Sequence, residues 1–252
     1  MDKFSLKTES EFKIMAEGGK KLGQIKNQLA AMVKEGVSSM DIEEKAVELI
    51  NESGGKASFE KVPNYHWATC VNVNAGLVHG IPSKEVVFKK GDLVSIDVGL
   101  FYKGFHTDTS ISVGVGLDAK DQRFLETGKE ALKKATGEAK PGNRIFDLSM
   151  AIQDTIEKAG FTPIQALVGH GVGKNLHEEP AIPCFVAGPR LKSPEIMPGT
   201  VLAIEVMYTQ GRPEIKIEED GWTISVRDDK ISALFEETVA VTGHGPLVLT
   251  EG

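Results

Sequence analysis

At 252 residues, with 40% hydrophobic and 26% charged side chains, the chain has the apolar material for a substantial core and the balance of an ordinary globular protein, which excludes a disordered or fibrous chain. A formal net charge of -7 gives no electrostatic drive toward nucleic acid or an anionic membrane surface. The two cysteines, Cys70 and Cys184, lie among apolar or small residues and support neither a disulfide framework nor a thiolate zinc site, so free buried thiols are expected. Met1-Asp2-Lys3-Phe4-Ser5 has no apolar signal core, and no window approaches the ~20 apolar residues of a membrane span. A cytoplasmic protein with no membrane partner is expected.

Thr8-Glu9-Ser10-Glu11 has capping-box spacing, and Phe12, Ile14, Met15, Leu22, Ile25, Leu29, Met32 and Val33 follow at helical intervals, predicting a helix over 9–34. Ser38-Ser39 marks a second start ahead of Ile42, Ala46, Val47, Leu49 and Ile50, and Gly54-Gly55 stops it. Strands are expected over 68–74, where residues alternate, and over 93–100, an apolar and β-branched run. Helical patterns return over 121–138 and 146–159, separated by Pro141-Gly142, and a strand-rich last third begins near Val201. Blocks of helix and strand make an α+β plan, and without a long Ser/Gly/Pro linker a single domain over 1–252 is expected.

One segment recurs. Gly91-Asp92-Leu93-Val94-Ser95-Ile96-Asp97-Val98 aligns without a gap on Gly199-Thr200-Val201-Leu202-Ala203-Ile204-Glu205-Val206, at an offset of 108 residues. Each copy sets a carboxylate inside an apolar strand. An ionised carboxylate buried without a partner costs several kcal/mol, so Asp97 and Glu205 must be paired, protonated or bound to a cation.

The run from Val98 to Asp108 reads as a hairpin turning at Lys103-Gly104. In a two-residue hairpin opposed residues have an odd sum of positions and share a sheet face, which puts Asp97 and Asp108 on one side. Two like charges on one face are reconciled by a shared proton or by a metal ion. His170, in the glycine-rich Gly169-His170-Gly171-Val172-Gly173, and the acids of Phe235-Glu236-Glu237-Thr238 extend the set. One imidazole with four carboxylates suits borderline or hard divalent ions, and four negative charges would neutralise two of them. Residue pattern alone leaves the choice between Glu236 and Glu237 open.

These residues, with Cys70-Val71-Asn72-Val73-Asn74, Val78-His79-Gly80-Ile81-Pro82, Gly104-Phe105-His106-Thr107-Asp108-Thr109 and His177-Glu178-Glu179-Pro180, resemble the type I methionine aminopeptidases along essentially the whole chain. The resemblance implies the pita-bread fold, a pseudo-twofold duplication of α/β halves around a curved antiparallel sheet. It implies Asp97, Asp108, His170, Glu205 and Glu236 as ligands of two divalent ions (Co, Mn, Fe or Zn), with Asp108 and Glu236 bridging, and it alone selects Glu236.

The reaction so implied is removal of the N-terminal methionine of nascent polypeptides by a hydroxide bridging the ions. Glu205 would be general base, and His79 and His177 would contact the scissile amide and oxyanion. Phe59, Val62, Tyr65, Cys70, Leu176 and Trp222 would line the methionine pocket. The implied protein is a monomer that meets the ribosome transiently and binds no nucleic acid of its own. Alternatives are an Xaa-Pro-type aminopeptidase of the same fold and a non-catalytic binding relative.

The chain departs from the usual family residues at Phe59, Val62, Leu176, Thr107, Val206 and Glu237. Glu237, beside a ligand position, could either point harmlessly to the other sheet face or alter metal affinity through its field.

Overall fold

The computed structural model describes residues 4–252; Met1, Asp2 and Lys3 of the N-terminal segment lie outside the described residues. In chain order the elements are α1 (Glu9–Met32), α2 (Ser39–Glu52), β1 (Lys56–Ala57), β2 (Thr69–Val73), β3 (Gly76–Val78), β4 (Leu93–Tyr102), β5 (Phe105–Gly114), α3 (Ala119–Glu138), α4 (Ile145–Lys158), β6 (Thr162–Pro163), β7 (Val168–Gly171), β8 (Glu178–Pro183), β9 (Val201–Thr209), β10 (Ile215–Ile217), β11 (Ile224–Val226), β12 (Ser232–Thr242) and β13 (Gly245–Val248).

The Thr8 capping box forms as expected, with the Glu11 amide donating to Thr8 Oγ1 at 3.3 Å and the Thr8 amide to Glu11 Oε2 at 2.8 Å. α1 stops at Met32 rather than at residue 34, because the chain beyond it is drawn into pairing with the Phe88 segment. Gly36 donates to the Phe88 carbonyl at 2.9 Å and Phe88 to the Val37 carbonyl at 2.8 Å. α3 begins two residues before the expected Asp121, since the Asp118 carboxylate caps the Asp121 amide at 2.9 Å. The hairpin turns at Lys103 (φ 46°) and Gly104 (φ 94°), two left-handed residues as a type I′ turn requires, and its strands run on to Tyr102 and from Phe105.

The main sheet is antiparallel, in the order β1-β4-β5-β12-β9-β7-β8, with β2 also paired to β4. Strand alternation sends Val94, Ile96, Val98 and Leu100 of β4 against Leu22, Ile25, Leu29, Ile42, Ala46 and Ile50 of α1 and α2. Leu202, Ile204 and Val206 of β9 pack in the same way with Phe124, Leu125, Leu148 and Ile152 of α3 and α4. The helices therefore cover one face as two pairs, and Asp97 and Glu205, at the odd positions between these apolar residues, point to the other.

The 108-residue offset is a structural repeat. β4 starts at Leu93 and β9 at Val201, each two residues after a left-handed glycine, Gly91 (φ 95°) and Gly199 (φ 96°). A side chain at either φ would be strained. Each copy follows a helical hairpin, and β5 and β12 meet at the centre of the order β4-β5-β12-β9.

A smaller sheet, β10-β11-β3, stands beside the main one. Its Val78↔Ile224 pairing brings His79, just after β3, and Trp222, just before β11, to the same end. Among the described residues no helix is long and apolar enough to cross a membrane.

Candidate metal centre and its cavity

The ligand candidates are assembled by register. Asp97 on β4 opposes Ser110 on β5, Ser110 opposes Glu236 on β12, and Glu236 opposes Glu205 on β9. Opposed residues share a face, so this row sets three acids across four strands. Asp108 lies two residues from Ser110 on that face, and His170 enters from β7 opposite Ala203, two residues from Glu205. Donor atoms of Asp108, His170 and Glu236 fall within 4.8 Å of one another, and His170 Nε2 lies 3.6 Å from Glu205 Oε1. Asp97 stands outside this tightest group but lines the same cavity.

The environment suits bound cations. Asp97 Oδ1 and Glu236 Oε1 are buried without a hydrogen-bond partner. Burial pushes the Asp97 carboxyl up to about 7, and burial, then Asp97, raise Glu205. Asp108 is raised by burial, Asp97 and Glu205, and Glu236 by burial, Asp108 and Glu205. Without a cation these acids would hold protons that free carboxylates lose.

His170 is in the complementary state. Its Nδ1 is 2.8 Å from the Gly171 carbonyl, an acceptor only, so Nδ1 carries the hydrogen and Nε2 turns a lone pair toward the acids. Desolvation lowers its pKa to about 4, which keeps the ring neutral. The residues thus fit divalent metal ions by donor chemistry and by unanswered charge. Asp108 is held through its backbone, its amide donating to Thr238 Oγ1 at 2.9 Å and its carbonyl accepting from that hydroxyl at 2.7 Å.

All thirteen residues singled out from sequence line one cavity of about 140 Å³, with Val78 added. Four other clefts, of about 280 to 320 Å³, are roomier, but none contains any of these thirteen residues except one that shares Val62 and Leu176. The apolar end is built around Tyr65, whose ring meets Trp222 edge-on at 5.1 Å and Phe59 at 6.4 Å. Its hydroxyl donates to the Thr69 carbonyl at 2.8 Å and contacts Cys70 Sγ at 3.2 Å. Both cysteines are buried and free, as expected.

At the mouth, the His177 ring stands edge-on to His170 with centroids 4.5 Å apart. Desolvation lowers the pKa of His177, and desolvation with the nearby His177 lowers that of His79. His79 has φ 59°, unusual for a residue with a side chain. The bend is fixed on its far side, where the Gly80 amide donates to Asn72 Oδ1 at 2.9 Å and a Cβ on Gly80 would strike the Val71 carbonyl.

Glu237 turns away from the cavity, although its charge still helps to raise the pKa of the neighbouring Glu236. It points to the helix side of the sheet, where it accepts hydrogen bonds from Lys26 Nζ of α1 and Thr250 Oγ1, and from Thr109 Oγ1 at 3.3 Å. Val206 is absorbed by the core over α3 and α4, and Thr107 is buried with an unpartnered hydroxyl.

Comparison with known proteins matches this geometry to one family. The model of metallopeptidase family M24 matches residues 13–243. This chain belongs to family M24. Within the family it is 40% identical over 245 residues to methionine aminopeptidase 1 of Bacillus subtilis, covering 97% of this chain and 98% of that one. It is 39% identical over 253 residues to methionine aminopeptidase of Aquifex aeolicus, covering 98% of each. The methionine aminopeptidase structure from Thermotoga maritima superposes with a TM-score of 0.95 at 37% identity, over 99% of this chain and 100% of that one. The prolidase of Pyrococcus furiosus shares the fold, with a TM-score of 0.77 at 23% identity over 98% of this chain and 65% of that one. The fold is the pita-bread fold, an α+β arrangement as expected, and membership of a metallopeptidase family together with full-length likeness to methionine aminopeptidases makes this a metallo-aminopeptidase that uses divalent metal.

Several supporting residues of this M24 site give little or no sign in the sequence. Glu43 of α2, buried beneath the cavity's apolar end, accepts from the Ala68 amide at 2.7 Å, the Thr69 amide at 2.9 Å and Thr69 Oγ1 at 2.6 Å, and so anchors the approach to Cys70. Its one sequence signal is an acid between Ile42 and Ala46 on the apolar side of a helix. Thr238, Lys7 and Lys26 give no such signal, because their partners are remote in sequence.

Proposed function

We propose that this chain removes the N-terminal methionine from peptides and nascent polypeptides, with Asp97, Asp108, His170, Glu205 and Glu236 holding two divalent ions. The observation that carries the reading is the junction, in one cavity, of five metal-ligand side chains with a wall of Phe59, Val62, Tyr65, Cys70, Leu176 and Trp222. Ions held there would supply Lewis-acid polarisation of the scissile carbonyl and acidify a water.

The protein's own groups account for the rest. The flexible, polarisable thioether of methionine suits an apolar wall whose polar tips, the Tyr65 hydroxyl and Cys70 thiol, are already engaged with each other. Glu205, beside His170 with its carboxyl raised by burial, is placed to take up a proton from water and pass it to the leaving amine. His177 and His79 are kept neutral by desolvation, so each can present an N–H to the substrate carbonyl or its developing oxyanion.

An Xaa-Pro specificity is not favoured, since the methionine aminopeptidases match at 40% identity and, in structure, at 37% with a TM-score of 0.95, against 23% and 0.77 for the Pyrococcus furiosus prolidase. A non-catalytic relative is disfavoured because every ligand position and both histidines are filled. Purified protein with Mn(II) or Co(II) is expected to release methionine from Met-Ala-Ser. Glu205→Gln is expected to lower kcat by about 10²–10⁴-fold, and activity that survives both chelation and this substitution sinks the reading.

A further inference from the structure

A second charged pair, buried outside the ligand set, lies against the segment that carries His177. Lys7 Nζ donates to Glu178 Oε2 at 2.6 Å, with the two side chains 3% and 8% exposed. Lys7 precedes the first helix and is tied down on both sides, its Nζ to the Ser5 carbonyl at 2.8 Å and its amide to the Gly199 carbonyl at 2.7 Å. Glu178 follows His177 directly, and its other oxygen accepts from the Asn175 amide at 3.1 Å.

The loop of residues 172–177 leaves β7 just after His170 and re-enters the sheet at Glu178. It is gripped from below as well, where the His106 amide, two residues before Asp108, donates to the Gly173 carbonyl at 2.7 Å. Gly173 makes room for the clamp, since a Cβ there would come within 2.6 Å of Lys7 Nζ and 2.9 Å of Glu178 Oε1. A surface lysine would hold a loop weakly, because water competes for its charge. A desolvated pair with further hydrogen bonds at each end has one good geometry, and losing one partner strands the other.

We propose that Lys7 and Glu178 are positioning residues. Their ion pair straps the 172–177 loop to the segment before α1 and so holds the His177 imidazole edge-on to His170, where it can meet the substrate carbonyl. The role of His177 rests on the function proposed above; the strap itself is a contact within the chain.

The test compares Lys7→Met, Glu178→Gln, the conservative Lys7→Arg and the charge-swapped pair Lys7→Glu with Glu178→Lys. Two readouts are used: amide hydrogen exchange in metal-free protein, and kcat and KM for Met-Ala-Ser with Mn(II). For Lys7→Met and Glu178→Gln, exchange is expected to quicken at 172–178 while β12 stays protected, and kcat to fall about 10- to 100-fold with little change in KM. Lys7→Arg is expected to retain protection and most of kcat, and the swapped pair to stay as unprotected as the single variants, because the Ser5 carbonyl would then face a carboxylate and the Asn175 amide an ammonium. Unchanged exchange at 172–178, loss spread evenly over the sheet, or a loosened loop with unaltered kcat each overturns the proposal. If Lys7→Met does not fold, the near-isosteric Glu178→Gln decides. Failure of the unmodified protein to release methionine overturns the proposed function instead, and the exchange measurement then judges the strap by itself.

Discussion

Glu236 and Glu237 are consecutive acids on one strand, and the sheet sends them into opposite circumstances. Glu236 faces the cavity, 2% exposed, with Oε1 unpartnered and with burial, Asp108, Glu205, Asp97 and, least, Glu237 raising its pKa. Glu237 faces the helices, where Lys26, Thr250 and Thr109 answer it. The back of the sheet carries its own cation and the front gathers acids that have none. A run of two acids is therefore no guide to local charge; the period of the strand decides which acid is balanced within the fold and which calls for an ion.

The contrast can be broken from the front first, with the largest expected effect. In protein stripped of divalent ions, burial raises the Asp97 carboxyl from 3.8 to about 7, and its three neighbouring acids are raised as well. Between those values the folded state holds protons that the unfolded chain has released. The contribution of these acids to stability therefore falls as pH rises through that window, by about 1.4 kcal/mol per pH unit for an acid protonated only in the folded state. Desolvated His79, His106, His170 and His177, with pKa values lowered from the ordinary imidazole value, act in the opposite sense up to that value. The acids are therefore read as a difference: in thermal melts of ion-stripped protein from pH 4 to pH 7, Asp97→Asn should lose less stability, or gain more, with rising pH than the unmodified protein, and an unchanged pH dependence would contradict the account.

From the back, Lys26→Met is expected to cost about 3–5 kcal/mol in urea unfolding by stranding Glu237. Adding Glu237→Gln should recover most of that loss without altering metal stoichiometry. Equal losses in the single and double variants would show that the pair is not a coupled unit. The smallest effect is expected away from both faces, at the surface pair in which Arg190 Nε and a terminal nitrogen each bond Asp147 at 2.7 Å. The Arg190 guanidinium lowers the Asp147 pKa, so this contribution is present above the ordinary carboxylate range and lost as pH falls through it. Arg190→Gln should shift the urea midpoint slightly at neutral pH and not at all once Asp147 is protonated.

What could be read beforehand follows from how local each constraint is. The common face of Asp97 and Asp108 needs only a two-residue turn at Lys103-Gly104 and the period of a strand, both written within a dozen residues. Glu205 is visible through the repeat. The choice of Glu236 over Glu237 depends on the register of β12 against β9, Glu236↔Glu205, which no local pattern specifies; family resemblance alone indicated it. The ion pairs of Lys7 and Lys26 close over 171 and 211 residues, so nothing near either lysine distinguishes it from a solvated one. The end of α1 shifted because tertiary pairing at Gly36 and Phe88 competed successfully with the helix for backbone groups, whereas the start of α3 moved with a local cap at Asp118.

The repeat of strand and glycine turn has a consequence for how such a centre can arise. Asp97 and Asp108 come from the first copy, on β4 and β5, while His170, Glu205 and Glu236 come from the second, on β7, β9 and β12. The cluster straddles the seam where β5 meets β12, so neither half holds a complete ligand set. A chain of half this length could build a comparable centre only by pairing with another copy. Fusing the halves turns that concentration-dependent encounter into a fixed one, and frees each side to specialise, imidazole on one and paired aspartates on the other.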